Sequence, residues 1–318
     1  MTRLLTRRAA LAPVAAALAA AVAGPASAAP AAIPLRVGAM PIDPSAEVFY
    51  AVEKGFFKDA GLDVNLTVMN NGAALLAAAT GGNIDVGFGS PAPVIQARQR
   101  GIPVRFFAPA AEYAGAPANS VLMIAKDSPI RLAADLNGKT VAVSGLRDLT
   151  YFSTKAWIEQ NGGDPNTISF IEIPYAEIGA ALERKRISAG CVIEPFITGM
   201  SGVRPLANLN AAVGSEYLLA GWFANDAWMA QNGDALKRFS SVMQRTARWA
   251  NTHHRESAAI LAKYTSMPLS VATTMTRSHY DERANVAPGL IQPVLDLLKK
   301  YANLASLPAA SDLVTSAP

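Results

Sequence analysis

The stretch NIDVGFGSPAPVI, residues 83–95, decides the fold. Ile84, Val86 and Phe88 alternate as a strand should, and the chain then turns through Gly89-Ser90-Pro91 straight into a helical pattern over residues 91–100, with Gly101 at its end. A strand that feeds a helix through so short a turn is half of a βα unit. The first amides of such a helix lack intrahelical partners and point beyond the strand end. A dinucleotide, a reacting substrate or a solute that is merely held can sit there.

Working outward, the same alternation recurs on both sides. LRVGAM (35–40) reads as a strand, and SAEVFYAVEKGFFKDAG (45–61) as one helix. Ser45 is placed to cap that helix, Val48, Val52 and Phe56 recur at i+4, and Gly61 suits a left-handed exit. LDVNLTVM (62–69) alternates as a strand, GAALLAAATGG (72–82) is a short helix closed by glycines, and VRFFAP (104–109) is a further strand. The loop-rich AAEYAGAPANS (110–120) then leads to a second βα series, with strands at 140–143, 169–173 and 189–193 and helices near 150–161 and 177–186. Beyond about residue 205 one more strand, EYLLAGWFA (216–224), precedes helices to the end. The longest, over 234–255, puts Leu236, Phe239, Met243 and Ala250 on one face.

Repeated units of this size predict an α/β fold of two hinged lobes, each a mostly parallel sheet flanked by helices. The crossings divide the chain into lobe 1, residues 34–114 and 215–318, and lobe 2, residues 115–214. Ligands of open α/β sheets bind beyond the carboxyl ends of the strands. Here those ends are residues 40–47, 69–73, 89–93 and 144–151, each combining small or polar residues with a helix start.

The N-terminus predicts export. Arg3, Arg7 and Arg8 precede an uncharged run over 9–28 that closes on ASA (26–28), so residues 1–28 read as a signal peptide. TRRAAL (6–11) partly resembles a twin-arginine signal with Ala10 in place of the usual Phe, which leaves Sec and Tat both open. Gly24-Pro25 interrupts the run before the roughly 20 apolar residues that a membrane span needs. Cleavage removes three of 28 basic residues and no acids, so 25 face 24 and the net charge falls from +4 to +1. That balance offers no electrostatic case for nucleic acid. Cys191 is the single cysteine, which excludes an internal disulfide, and no cysteine follows the signal to carry a lipid anchor. In a Gram-negative host the mature protein is expected free in the periplasm.

The material for catalysis is thin. His253, His254 and His279 are the only histidines, and adjacent residues do not share a helix face. No metal site and no cofactor are expected, and no Ser-His-Asp or Cys-His set is visible. Cys191, in an apolar strand, reads as inert core.

At this point a family resemblance becomes visible. FYAVEKGFFKDAGLDVNL resembles the A-x-E-K-G-x-F-x-x-x-G-L-x-V signature of periplasmic solute-binding proteins for aliphatic sulfonates, taurine, nitrate and thiamine-precursor pyrimidines. LLAAATGGNIDVGFGSPAPVIQARQRG, DLNGKTVAVSGLRDLTYF and GCVIEPF are similar to three further stretches of that family, and the likeness runs from about residue 34 to 303. The resemblance implies a type II periplasmic binding protein that delivers a small molecule to the membrane permease of an ABC importer. By position it implies ligand contacts at Pro41, Asp43 and Ser45, at Gly72 and Ala73, and at Gly89, Ser90 and Pro91. It also implies contacts at Ser144, Arg147 and Thr150, at Glu194 before Pro195, and at Trp222, where relatives often close the cleft. Tyr113 is added as a cleft wall and Tyr151 as a hydroxyl donor.

Each polar candidate has a structural alternative. Ser90 either donates into the cleft or caps its own helix, and Arg147 either clamps an anion or sits in solvent beside Asp148. The expected solute is a small organic anion, a sulfonate or carboxylate, with room for an amine or aromatic ring. The chain is read as a monomer that binds without chemistry. Two alternatives come from other classes. One is an exported desulfinase or hydrolase on the same scaffold. The other is a dinucleotide-dependent oxidoreductase, because GFGSPA (87–92) fits G-x-G-x-x-A and Glu112 follows.

Overall fold

The computed structural model describes residues 31–115, 118–304 and 306–316. The segment read as an export signal lies outside the described residues. Eleven strands among the described residues form two sheets. The first contains β1 (Ile33–Ala39), β2 (Leu62–Val68), β3 (Val86–Gly89), β4 (Val104–Ala114), β10 (Glu216–Asn225) and β11 (His279–Tyr280), in the order β11-β4-β10-β3-β1-β2. The second contains β5 (Ser120–Ala125), β6 (Thr140–Val143), β7 (Ser169–Glu172), β8 (Ala189–Ile193) and β9 (Val203–Asn208), in the order β7-β6-β8-β5-β9. The chain passes from the first sheet to the second between β4 and β5 and returns between β9 and β10.

Strand direction follows the connections. β1 pairs in parallel with β2 and β3, and β6 with β7 and β8, because helices carry the chain back across each sheet. The strands entered from the other sheet run the opposite way: β10 is antiparallel to β3 and β4, and β5 is antiparallel to β8 and β9. β3 is buried on both faces, as a central strand between helical layers must be.

The opening glycines have a packing role. A Cβ on Gly87 would lie 2.6 Å from Cε2 of Phe223, and one on Gly89 would lie 2.9 Å from its Cε1. Gly87 sits inside β3 opposite Phe223 on β10, so the GFG sequence admits a phenyl ring of the neighbouring strand. This removes the structural basis of the dinucleotide reading, which needs those glycines in a phosphate turn.

Four local expectations are corrected. The helix expected over 45–61 is two helices, Glu47–Glu53 and Phe56–Asp59, because Gly55 between them adopts φ +72°. The long helix ends at Thr252, and a second, His254–Thr265, starts after a break at His253. β4 continues to Ala114, through residues expected as loop. β9 and β11 were not expected: β9 is an edge strand carrying Pro205, and β11 has only two residues, too short for any periodic signal.

Candidate functional site

Two strand-ends of the first sheet converge on two of the second. Beyond β1 and β3 lie Met40 and Ser90, and beyond β6 and β8 lie Ser144 and Glu194. Between the sheets is an inner chamber of about 80 Å³. Ile42, Leu76, Phe88, Val94 and Phe223 supply its wall from the first sheet's side, and Leu149, Tyr175, Ile193 and Leu209 from the second's. Among the described residues no Arg, Lys or His lines it. An outer recess of about 350 Å³ adjoins it, lined by Asn71, Ala73, Gln96, Arg100, residues 144–147 and Glu172. Met40, Gly72, Leu76, Pro93 and Asp148 line both.

The helix starts are less generous than their position suggests. The helix Pro91–Gln99 begins with Pro91 and has Pro93 in its first turn, so two of its first four residues have no N–H. Asn71 caps the helix Gly72–Thr80, and its Oδ1 accepts from Ala73 N at 2.7 Å and Ala74 N at 3.2 Å. Asp148 caps the helix Leu149–Gln160 and accepts from Leu149 N at 2.6 Å.

Side chains from opposite sheets meet at the rim. Ser90 makes no bond to its own helix; its hydroxyl crosses the gap and donates to Asp148 Oδ1 at 2.5 Å. Gln96 Nε2 donates to the Arg147 carbonyl at 2.8 Å, and Arg147 Nε donates to Gln96 Oε1 at 2.8 Å. Asn71 Nδ2 donates to Glu172 Oε1 at 3.0 Å. Burial raises the Asp148 carboxyl and the nearby Glu172 adds to that; the bonds from Ser90 and Leu149 oppose it.

Most polar groups of the inner wall are satisfied. Asn210 Nδ2 donates to Asn119 Oδ1 at 3.2 Å and to the Tyr217 hydroxyl at 3.0 Å, and Ser153 donates to the Thr150 carbonyl. The Thr150 hydroxyl is different: Oγ1 is buried and makes no well-formed hydrogen bond among the described residues, although it lies close enough to the Tyr175 hydroxyl to interact with it. Native proteins leave few such groups, and each calls for a physical explanation.

The sequence candidates divide accordingly. Gly72, Gly89, Ser90 and Thr150 line the inner chamber, and Gly72, Ala73, Ser144 and Arg147 the outer recess. Pro41 and Tyr264 line a third recess, which adjoins the inner chamber through Met40, Ile42 and Tyr175. Asp43, Ser45, Pro91, Tyr113, Tyr151, Glu194 and Trp222 line none of these. Asp43 is fully buried and ion-paired with Arg277 at 2.9 Å. The Ser45 hydroxyl turns back to the Met40 and Ile42 carbonyls. Tyr113 donates to the Gly115 carbonyl at 2.9 Å. Tyr151 packs edge-on against Phe152 and Phe170. Glu194 accepts from Thr198 and from the Thr276 amide, and burial raises its carboxyl. Trp222 is fully buried between Phe88 and Phe239 and donates from Nε1 to Glu47 Oε1 at 2.5 Å.

Asp148, Tyr175, Asn119 and Asn210 line the chamber without being among those candidates. Asp148 carried a usable signal, an acidic cap directly before a helix at a strand end. Arg100 and Gln96, one on a helix end and one on its buried face, carried none. Cys191 is buried, 3.6 Å from the Ser120 hydroxyl, and burial pushes its thiol up to about 12. Among the described residues no three metal-ligating side chains cluster and no helix is long and apolar enough to cross a membrane.

Comparison with known proteins agrees with this architecture. The family described as NMT1/THI5 like matches residues 44–257. A formylaminopyrimidine-binding protein of Halalkalibacterium halodurans is 25% identical over 224 residues, which cover 67% of this chain and 64% of that protein. A protein of Escherichia coli (strain K12) named for aliphatic sulfonate binding is 27% identical over 233 residues, 70% of this chain and 66% of that one. The matched stretch therefore spans just under two thirds of each relative's length. Among solved structures, the alkanesulfonate-binding protein SsuA of Xanthomonas axonopodis pv. citri superposes with a TM-score of 0.76 at 17% identity, covering 91% of this chain and all of that one. The desulfurization enzyme DSZB has the same fold, with a TM-score of 0.63 at 17% identity and coverage of 89% and 96%.

Proposed function

We propose that this chain, which belongs to the NMT1/THI5 like family, is the solute-binding component of an ABC importer. It works in the periplasm as a monomer, holds a small molecule between its sheets and hands it unchanged to a membrane permease. One observation carries the reading: a largely apolar chamber walled by both sheets, with the Thr150 and Tyr175 hydroxyls close together against it. A solute that accepts or donates one hydrogen bond there gains about 0.5–1.5 kcal/mol.

The rim contacts support a hinged motion of two bodies. Residues 34–114 with 215–318 form one moving body and residues 115–214 the other. Ser90–Asp148, Gln96–Arg147 and Asn71–Glu172 bridge them. A guest that touches both sides favours the closed arrangement by its differential affinity for it. Binding without chemistry is supported by the relatives named for binding formylaminopyrimidine and aliphatic sulfonates.

The test is a thermal-shift and calorimetric screen of sulfonates, aliphatic and aromatic carboxylates, nitrate and pyrimidines, with mass spectrometry of the recovered compound. Saturable binding of an intact compound, weakened by Thr150→Val, supports the proposal. Conversion of the bound compound, or binding indifferent to Thr150, refutes it.

A further inference from the structure

One charged group faces the inner chamber with an incomplete set of hydrogen bonds. Among the described residues Asp148 is the only charged side chain that lines it. Both bonds to the carboxylate fall on one oxygen: Ser90 Oγ donates to Oδ1 at 2.5 Å, and Leu149 N donates to Oδ1 at 2.6 Å. No donor among the described residues bonds Oδ2, and each carboxylate oxygen has room for about two. Among those residues no cation forms an ion pair with Asp148; the adjoining Arg147 turns Nε to Gln96 Oε1 at 2.8 Å and lines the outer recess rather than the chamber. The place still suits one negative charge. A Cβ on Gly72 would lie 4.0 Å from Asp148 Oδ2, so this oxygen stands at the start of the helix Gly72–Thr80, while Oδ1 caps Leu149–Gln160. Helix N-termini favour an anion and disfavour a cation. The helix-start amides of Gly72, Ala92 and Thr150 have no acceptor among the described residues and remain as uncharged donors. A second anion about 4 Å from the carboxylate would be disfavoured by roughly a thousandfold. Burial, with the nearby Glu172, already raises the Asp148 carboxyl.

We propose that Asp148 sets the specificity of the chamber: Oδ2 accepts a hydrogen bond from an N–H or O–H of the solute, and the buried end of that solute is uncharged. This specificity rests on the binding-protein reading and deepens it. Of the small organic anions expected from the sequence, it excludes those that would bring their negative group into the chamber. A cation at Oδ2 would meet the positive ends of the helices. A carboxamide-type edge, a donor beside an acceptor, matches both kinds of wall group, with its N–H on Asp148 and its oxygen on a helix-start amide. Asp148 then gains the partner that Oδ2 lacks, whereas a carboxylate in the same place has no proton to give.

Calorimetry at pH 8, which favours the ionised carboxyl, tests this with matched pairs: isovaleramide against isovalerate, and benzamide against benzoate. The expected result is at least one amide that binds about tenfold or more tighter than its acid. Asparagine at this position keeps the helix cap and removes the charge; serine keeps the cap and withdraws the acceptor. In Asp148→Asn the preference should fall below about twofold through tighter acid binding. In Asp148→Ser amide affinity should drop about fivefold or more. Melting temperatures within about 2 °C of the parent certify the two folds, and either variant decides the question if the other is unfolded. An acid that binds the parent as tightly as its amide overturns the proposal, as does a preference that survives in both variants. If both pairs are silent, the solute found in the wider screen decides. An uncharged pyrimidine weakened by Asp148→Ser supports the proposal; an anion, or any solute indifferent to Asp148, overturns it. Silence of every compound refutes the binding-protein reading itself.

Discussion

Replacing Arg277 with Met should destabilise the protein by about 3–5 kcal/mol, the range expected when one partner of a buried ion pair is removed. Asp43 is 0% exposed and Arg277 only 9%. Arg277 Nε donates to Asp43 Oδ1 at 2.9 Å, Nη1 donates to the Ser257 hydroxyl at 3.0 Å, and Nη2 donates to the Tyr50 hydroxyl. Methionine keeps most of the aliphatic stem, so the loss is one of charge and hydrogen bonds more than of volume. Asp43 would keep the Ser278 amide and the distant Tyr280 hydroxyl, too little for an anion with no water. For a chain of this size each kcal/mol shifts the melting temperature by about 2 °C, so a fall of roughly 6–10 °C is expected. Adding Asp43→Asn removes the stranded charge and should restore about half of the loss. Thermal unfolding followed by circular dichroism reads both. A drop of less than about 2 °C, or a double variant no better than the single, refutes the account. Asp43→Asn alone should leave solute affinity within about twofold, because Asp43 lines neither recess.

Thr150→Val should weaken solute binding several-fold while changing the stability of the ligand-free protein by no more than about 1 kcal/mol, since the hydroxyl it deletes makes at most a poor bond to Tyr175; a larger loss of stability would show that the hydroxyl serves the fold rather than the solute. Burial holds the Glu47 carboxyl well above its ordinary 4.5, partly opposed by the Trp222 bond and reinforced by Asp281. The native state therefore keeps a proton that the unfolded chain has lost, and stability declines as pH rises from about 4.5 through the native value. Glu47→Gln cannot titrate, so its advantage over the parent should grow with pH across that window; urea midpoints measured from pH 4 to 8 with identical slopes for both proteins would contradict this.

What the chain determined by itself is what depends on near neighbours. The strand at 35–40 appears as Ile33–Ala39, that at 62–69 as Leu62–Val68, and the helix at 91–100 as Pro91–Gln99, because alternation, helical period and Gly or Pro punctuation act within a few residues. The family likeness rests on the same local stretches. Tertiary structure decided where each polar side chain spends its bonds. Ser90 had a choice between its own helix and a partner across the gap, and the partner, Asp148, is 58 positions away. Asp43 looked like a ligand contact until Arg277, 234 positions on, closed over it. Arg147 was legible as a loop cation, but only the packing of two sheets put it against Gln96, 51 positions away, and outside the inner chamber. A hydrogen bond or ion pair forms only at contact distance. Secondary structure sets which way a side chain leaves its backbone, and only the fold determines what waits there.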